Sequence, residues 1–328
     1  MRLIRGIHNL RDTHRGCVAT IGNFDGVHQG HQRILDQVIA EARRRGLKST
    51  VMLFEPQPQE FFSPQTAPPR LMSLRDKLIA LREAGVDQVL CVRFGERFRS
   101  LTAEAFVKAL LVDGLGVEYL VVGDDFRFGC GRDGDFAYLQ QAGQQFGFAV
   151  TDTATCEVDG ERVSSTRVRA ALCDGDFALA ERLLGRPFAI SGRVRHGDKI
   201  GRTLGLPTVN LALKRLQSPL HGVFAVTVTG AGLVDQPGAA NMGTRPTVNG
   251  TENRLEVYLL DYSDSAGGSS GSGDAQHTHQ DSLYGAHLTV AFRHYVRPEE
   301  KFADLDQLKT AIRQDVDAVR AFFDMPTV

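Results

Sequence analysis

Short apolar runs separated by amphipathic stretches fill the first half of the chain. Cys17–Gly22, Ser49–Phe54 and Val89–Phe94 each read as a strand. They lack polar alternation, which suits strands covered on both faces. Between them, Gln32 to Arg45 carries Ile34, Leu35, Val38, Ile39 and Ala42 along one helical stripe, and Leu74 to Ala84 reads as a helix stopped by Gly85. A helix from Ala103 to Leu111 and a fourth strand, Tyr119–Val122, continue the series. Strand alternating with helix predicts a parallel α/β sheet. After Phe188 the pattern changes. Ile190–Val194, Gly222–Val228, Leu255–Leu260 and His287–Phe292 are short runs broken by Gly, Pro and Asn, the signature of antiparallel strands in a small barrel or sandwich. A closing helix, about Leu305 to Phe323, places Leu305, Leu308, Ile312, Val316 and Val319 on one face. The boundary is expected near Gly185-Arg-Pro187, giving an α/β domain over residues 1–185 and a small antiparallel β-barrel with a C-terminal helix over 186–328.

One stretch fits neither pattern. Ser263–Asp281 is so rich in Gly and Ser that it buries too little to offset ordering, and it reads as a flexible surface loop. His277 and His279 within it read as a solvated pair, since two imidazoles leave a tetrahedral metal site half filled. Charge narrows the partners. With 38 basic and 39 acidic residues the chain has no bulk attraction for nucleic acid or an anionic membrane, so phosphate must be bound at local sites. No apolar run approaches the roughly 18 residues of a spanning helix, and the first residues show no signal core. Five cysteines, odd in number and without a C-x-x-C pair, suit reduced thiols in the cytoplasm. Self-association stays open on the sequence.

The first concentration of chemistry is Gly22-Asn-Phe-Asp-Gly-Val-His-Gln-Gly-His31, where a strand ends and a helix begins. Ligands of open α/β sheets bind there, and helix N-termini favour phosphate. His28 and His31, three apart, can share one turn and donate to phosphate oxygens as charge grows on them. Gly30 keeps a side chain clear of an incoming nucleotide. Gly129–Gly134 satisfies Gly-x-Gly-x-x-Gly, but without a strand-to-helix turn it reads as a loop.

This decapeptide resembles the His-x-Gly-His signature of nucleotidyltransferases. Its fuller form is similar to that of the bacterial bifunctional riboflavin kinase/FMN adenylyltransferases, also called FAD synthetases. Phe54–Pro58 resembles their Phe-x-Pro-His-Pro segment with Gln57 in place of His, and Gly123–Asp135 resembles a loop that frames flavin and nucleotide. Val163–Arg169 resembles their Ser-Ser-Thr-x-x-Arg motif. Taken alone, Ser164, Ser165 and Thr166 read as a helix cap; beside the histidine motif they read as triphosphate contacts, with Arg169 a fixed charge for the β- and γ-phosphates. The resemblance implies a Rossmann-like α/β/α nucleotidyltransferase domain, with Gly22, Asn23, Phe24, Asp25, Gly30 and Asp125 at the ligand and His28, His31 and Arg169 catalytic. Phe54, Phe62, Phe126 and Phe128 read equally as flavin-stacking or core residues.

A second concentration, His196–Asn210, combines glycines that let the backbone approach phosphates with Thr208 and Asn210, two apart and so on one face of a strand. The glycines alone also fit an exposed hairpin loop. Neutral oxygens beside phosphate suit Mg²⁺. The stretch resembles the riboflavin kinase signature, with Val209 where Ala is usual. By that resemblance, Gly197, Gly201 and Arg202 contact nucleotide, and Thr208 and Asn210 hold Mg²⁺. Asn241–Thr247, with Asn241 and Arg245, and the segment opening at Arg297 match further family stretches. Leu255–Asp261 resembles the strand bearing the catalytic glutamate, here Glu256, with Tyr258 where His is usual. The implied activity is phosphorylation of riboflavin to FMN by ATP and adenylylation of FMN to FAD, with ATP, riboflavin, FMN and FAD as small-molecule partners. The alternatives are a chain retaining one of the two activities, or a non-catalytic flavin-binding protein.

Overall fold

The structure is a computed structural model that describes residues 1–123, 125–195, 208–213, 217–247, 250–262 and 283–326; for 245–247 and 250–252 it describes the backbone alone. The predicted contacts Gly197, Gly201 and Arg202, the pair His277/His279 and the 263–281 segment lie outside the described residues, as does the side chain of Arg245. The chain divides into two compact units. One comprises Met1–Pro68 with Leu74–Ser165, the other Pro69–Ser73 with Thr166–Val328.

The first unit holds a six-stranded sheet in the order β1-β4-β3-β2-β5-β6, with every pair parallel. Its strands are β1 (Arg2–Arg5), β2 (Cys17–Ile21), β3 (Lys48–Glu55), β4 (Gln88–Arg93), β5 (Val117–Val122) and β6 (Ala149–Asp152). The helices are α1 (Gln29–Arg45), α2 (Pro58–Phe62), α3 (Leu74–Glu83), α4 (Glu96–Arg99), α5 (Ala103–Phe106) and α6 (Phe136–Phe146). β2 shows why its run is apolar throughout. Cys17, Ala19 and Ile21 pack into a core with Met52, Leu90, Leu110 and Leu120. Val18, facing the other way, packs with Val38 and Ala42 of α1. Both faces are covered, so period-2 alternation has nothing to report. A two-stranded ribbon, β7 (Glu157–Val158) with β8 (Glu161–Arg162), leads into α7 (Ser165–Cys173) and α8 (Phe177–Leu184).

The predicted parallel α/β sheet is present, with three departures. α1 begins at Gln29 rather than Gln32, because His28 caps it. The expected helix Ala103–Leu111 stays α-helical only to Phe106 and then widens into a π turn over Val107–Val112. The amide of Asp113 accordingly reaches back five residues to Lys108 O at 2.8 Å. β1 and β6 add the outer strands, too short and half-exposed to stand out in the sequence.

The second unit holds a closed six-stranded barrel in the order β10-β13-β12-β11-β14-β9, antiparallel throughout. Its strands are β9 (Ala189–Arg195), β10 (Val209–Ala212), β11 (Gly222–Gly230), β12 (Leu233–Thr247), β13 (Gly250–Leu259) and β14 (His287–Arg297). Closure leaves no free edge. β12 carries three glycine or proline positions in its first eleven residues and was not expected as a strand; its pairing to β11 and β13 along its length overrides that composition. The closing helix α9 (Leu305–Phe322) lays Val316 and Val319 against Ala225, Ala239 and Tyr258. The first member of its expected apolar face departs, since Leu305 is exposed.

Candidate active sites

The loop between β2 and α1 is drawn into a conformation few sequences tolerate. Phe24 and Val27 both have positive φ, 47° and 41°. For a β-branched residue such as Val27 that is a strained backbone, which persists only where its surroundings over-determine it. Here the surroundings do. The carbonyl of Asn23 accepts from Lys77 Nζ of α3 at 2.5 Å, that of Asp25 from Ser165 Oγ of α7 at 2.8 Å, and that of Val27 from Gln32 Nε2 of α1 at 3.1 Å. Phe24, Asp25 and Val27 are themselves buried.

The loop delivers two imidazoles. His28 is the N-cap of α1, its Nδ1 accepting from the His31 amide at 3.3 Å. That bond assigns the His28 proton to Nε2. The two rings stack at 3.6 Å with 17° between planes, and Phe24 lies 4.8 Å from His31. Gly30 is what permits the stack. A Cβ there would meet the His28 ring at 3.2 Å and Val163 O at 3.5 Å. Burial, with His28 and the Lys77 ammonium nearby, holds His31 well below the ordinary histidine value, so its ring is neutral at pH 7. His31 Nδ1 and Asn23 Oδ1 are buried without a protein partner. Unsatisfied polar atoms on the loop and on the first turn of the helix it enters mark a place where a ligand can supply the missing bonds.

Asn23 and His31 line a cleft of about 820 Å³ together with Gly22, Phe24, His28 and Gly30. Its lining is also strongly aromatic and includes Phe54, Phe62, Phe94, Phe98, Phe126 and Phe128. Phe62 is 58% exposed, so at least one ring is available to a ligand rather than committed to the core. Arg99, Arg127, Arg132 and Arg162 bring positive charge to the lining. Asp125 is there too, paired with Arg162 at 3.1 Å, and Ser164 closes the list of expected residues in the cleft. Flat aromatic walls beside cationic and imidazole donors suit a planar heterocycle joined to phosphate.

The rest of the Ser-Ser-Thr-x-x-Arg segment is placed differently. Ser165 spends its proton on Asp25 O, Thr166 is exposed, and Arg169 Nε donates to Pro69 O at 2.7 Å. Thr166 and Arg169 belong to the second compact unit. Gln57, the departure from the family's histidine, is buried with Nε2 unpartnered. Lys77 is a residue that sequence reading missed. It sits in an otherwise ordinary amphipathic helix, yet it is 2% exposed.

In the barrel, register assembles the second site. Asn210 of β10 stands opposite Glu256 of β13, and Glu256 opposite Asn241 of β12. Directly opposed residues share a face, so the three form one polar row. Arg254 ties two of them: its Nε reaches Asn210 Oδ1 at 3.0 Å and Glu256 Oε1 at 2.8 Å. Asn241 Oδ1 is buried without a partner. An orphaned neutral oxygen beside a carboxylate, with the Asn210 carboxamide one strand away and half-buried Thr208 two residues before it, is a donor set of the hard kind that Mg²⁺ takes. Arg297, expected at the ligand, is clasped to Asp315 of α9 by two bonds of 2.6 and 2.8 Å. Those bonds raise its already high pKa. Tyr258, where the family usually has His, is packed against α9, and burial pushes its phenol up.

A parallel α/β domain with paired imidazoles at a strand-to-helix turn, followed by a closed barrel with a carboxylate among carboxamides, defines a two-site enzyme that handles nucleotide phosphates. Comparison with known proteins agrees: the FAD synthetase family model matches residues 10–167 and the riboflavin kinase model residues 184–323. The bifunctional riboflavin kinase/FMN adenylyltransferase of Escherichia coli (strain K12) is 53% identical over 326 residues, 99% of each chain. That of Pseudomonas fluorescens is 55% identical over 322 residues, 98% of this chain and 97% of the other. A crystal structure described as a macrolide-efflux protein from Streptococcus pneumoniae is 28% identical, with a TM-score of 0.77 over 98% of this chain and 99% of that one. Among the described residues no helix is long and apolar enough to cross a membrane. The chain belongs to the bifunctional riboflavin kinase/FMN adenylyltransferase family.

Proposed function

We propose that this chain makes two flavin cofactors in succession, phosphorylating riboflavin with ATP to give FMN and joining FMN to AMP from a second ATP to give FAD. Residues 186–328 carry the first reaction and residues 1–185 the second. The observation that carries the reading is the stacked His28–His31 pair, with an unpartnered nitrogen, lining an aromatic and cationic cleft.

In the kinase reaction the 5′-hydroxyl oxygen of riboflavin bonds to the γ-phosphorus of ATP as the bond to ADP breaks. Glu256 accepts the hydroxyl proton. Thr208 and Asn210 would hold Mg²⁺, which would supply charge neutralisation on the triphosphate. In the transferase reaction a phosphate oxygen of FMN bonds to the α-phosphorus of ATP and pyrophosphate leaves. His28, through Nε2–H, and His31 donate to oxygens that gain charge in the transition state, a role that asks for fixed donors rather than for a covalent intermediate. Gly22, Asn23, Phe24, Asp25, Gly30, Asp125 and Ser164 shape the ligand site, and Ser165 holds the carbonyl of Asp25 in the loop. Gly197, Gly201, Arg202, Asn241, Arg245 and Arg297 serve the kinase ligands. Small molecules, not nucleic acid, are the partners, and five free thiols suit the cytoplasm.

The test is direct. Purified chain is given riboflavin, ATP and Mg²⁺, and flavins are separated by chromatography. FMN and then FAD are expected. His31→Ala is expected to stop FAD formation while FMN accumulates, and Glu256→Ala to stop FMN formation while added FMN is still adenylylated. Absence of both products from the parent chain overturns the reading.

A further inference from the structure

A lysine ammonium is rarely buried unless something holds it. Lys77 is 2% exposed, and its charge is turned toward the β2–α1 loop. It is one of three ties. Lys77, Ser165 and Gln32 come from three different helices and bind the carbonyls of residues 23, 25 and 27 in alternation. A carbonyl oxygen carries partial negative charge and repels a triphosphate. Drawing three of them onto side-chain donors lessens that repulsion from the loop beside the cleft, and it holds Phe24 and Val27 in the positive-φ conformation that sets Phe24 against His31 and delivers the two stacked imidazoles. The same ammonium adds a positive charge whose field reaches His31. It is among the causes that keep His31 neutral.

We propose that Lys77 is a positioning residue of the adenylyl-transfer site: by pinning the Asn23 carbonyl, with Ser165 and Gln32 pinning the next two, it aligns the loop that presents His28 and His31 to the transferring phosphorus. The inference rests on reading that cleft as the FMN adenylylation site. Lys77 acts through the loop and does not contact the reacting atoms. Misplacing catalytic donors by about 1 Å costs on the order of 10²-fold in rate. An alignment device is felt in the transition state more than in ground-state binding, so kcat falls while KM is little changed.

The experiment uses the full chain. Lys77→Met keeps the length and apolar stem and removes the donor and the charge; Lys77→Arg keeps both. For Lys77→Met we expect kcat for FMN adenylylation to drop about 10²-fold with the KM for ATP within about threefold of the parent, and riboflavin phosphorylation to stay within about twofold. Lys77→Arg is expected to recover most of the loss. Adenylylation by Lys77→Met within about twofold of the parent overturns the proposal. Should Lys77→Met lower both activities together, as a misfolded chain would, Gln32→Leu decides. A loss confined to adenylylation kcat supports the proposal, and an unchanged rate overturns it. His31→Ala, assayed alongside, separates the two levels of inference. If it too leaves FAD formation intact, the reading of the cleft has failed. If it abolishes FAD formation while Lys77→Met does not, the positioning role alone has failed.

Discussion

His31 shows how much a residue's chemistry depends on what lies behind it. A free imidazole titrates near 6.5, but burial, His28 and Lys77 hold this one well below that value. The sign follows from linkage. Between the depressed folded value and 6.5 the unfolded chain binds the extra proton and the folded chain does not. The stability contributed by neutral His31 is therefore fully present above pH 6.5 and is lost as pH falls through the folded value. We expect the His31 ring to remain neutral at pH 6 in a histidine-resolved NMR titration; a midpoint near 6.5 would contradict the burial that the structure shows. The pair itself was legible, because glycines, a strand end and a three-residue spacing coincide at one turn. Lys77 was not. Arg75-Asp76-Lys77 looks like the solvated face of a helix, and only the packed structure shows which of the three turns inward. The tie from Arg254 to Asn210 was hidden for a different reason. It crosses from β13 to β10, and cross-strand register is something no local pattern encodes.

Elements were legible where both faces or one stripe are buried and obscure where pairing alone defines them. β2 and α1 announce themselves by apolar runs and a helical stripe. β12 does not, since glycine and proline hide a strand whose hydrogen bonds come from two neighbours. α9 was legible as a helix, but its apolar face is only part of what holds it. Arg297 of β14 and Asp315 of α9 form a two-bond ion pair, with side chains 22% and 8% exposed. Arg320, in the last turn of α9, pairs with Asp261. Removing one member of such a pair leaves a poorly solvated charge, at a cost of about 3 kcal/mol. Asp315→Ala is thus expected to lower the thermal midpoint of the barrel unit and its kinase activity at elevated temperature. FMN adenylylation at 25 °C is expected to be spared. Equal loss of both activities would show that α9 supports more than the barrel.

At the scale of the whole molecule, the compact unit that contains the barrel takes in residues well before the barrel's first strand, from Thr166 onward. The reason is α8. Phe177 lies 5.8 Å from Phe224 and 6.5 Å from Phe292, ring to ring, and those two rings lie 5.2 Å from each other. Ala180, Leu183 and Leu184 of the same helix are buried as well. The helix therefore contributes to the core of a barrel whose first strand starts at Ala189. Truncating a buried phenylalanine alone costs about 3–5 kcal/mol, a large share of the roughly 5–15 kcal/mol by which domains are stable. A chain of residues 166–328 is accordingly expected to unfold in urea at a clearly higher midpoint than one of residues 186–328. Both pieces lack Pro69–Ser73, whose Pro69 carbonyl binds Arg169 and whose Met72 sulfur meets Arg186. Of these two contacts only the Arg169 tie involves α7 or α8, and neither piece can form it. The comparison then isolates what those two helices add by packing on the barrel. Circular dichroism followed through the urea titration reads the difference, and coincident midpoints would mean that the aromatic contacts of Phe177 contribute nothing measurable to the fold.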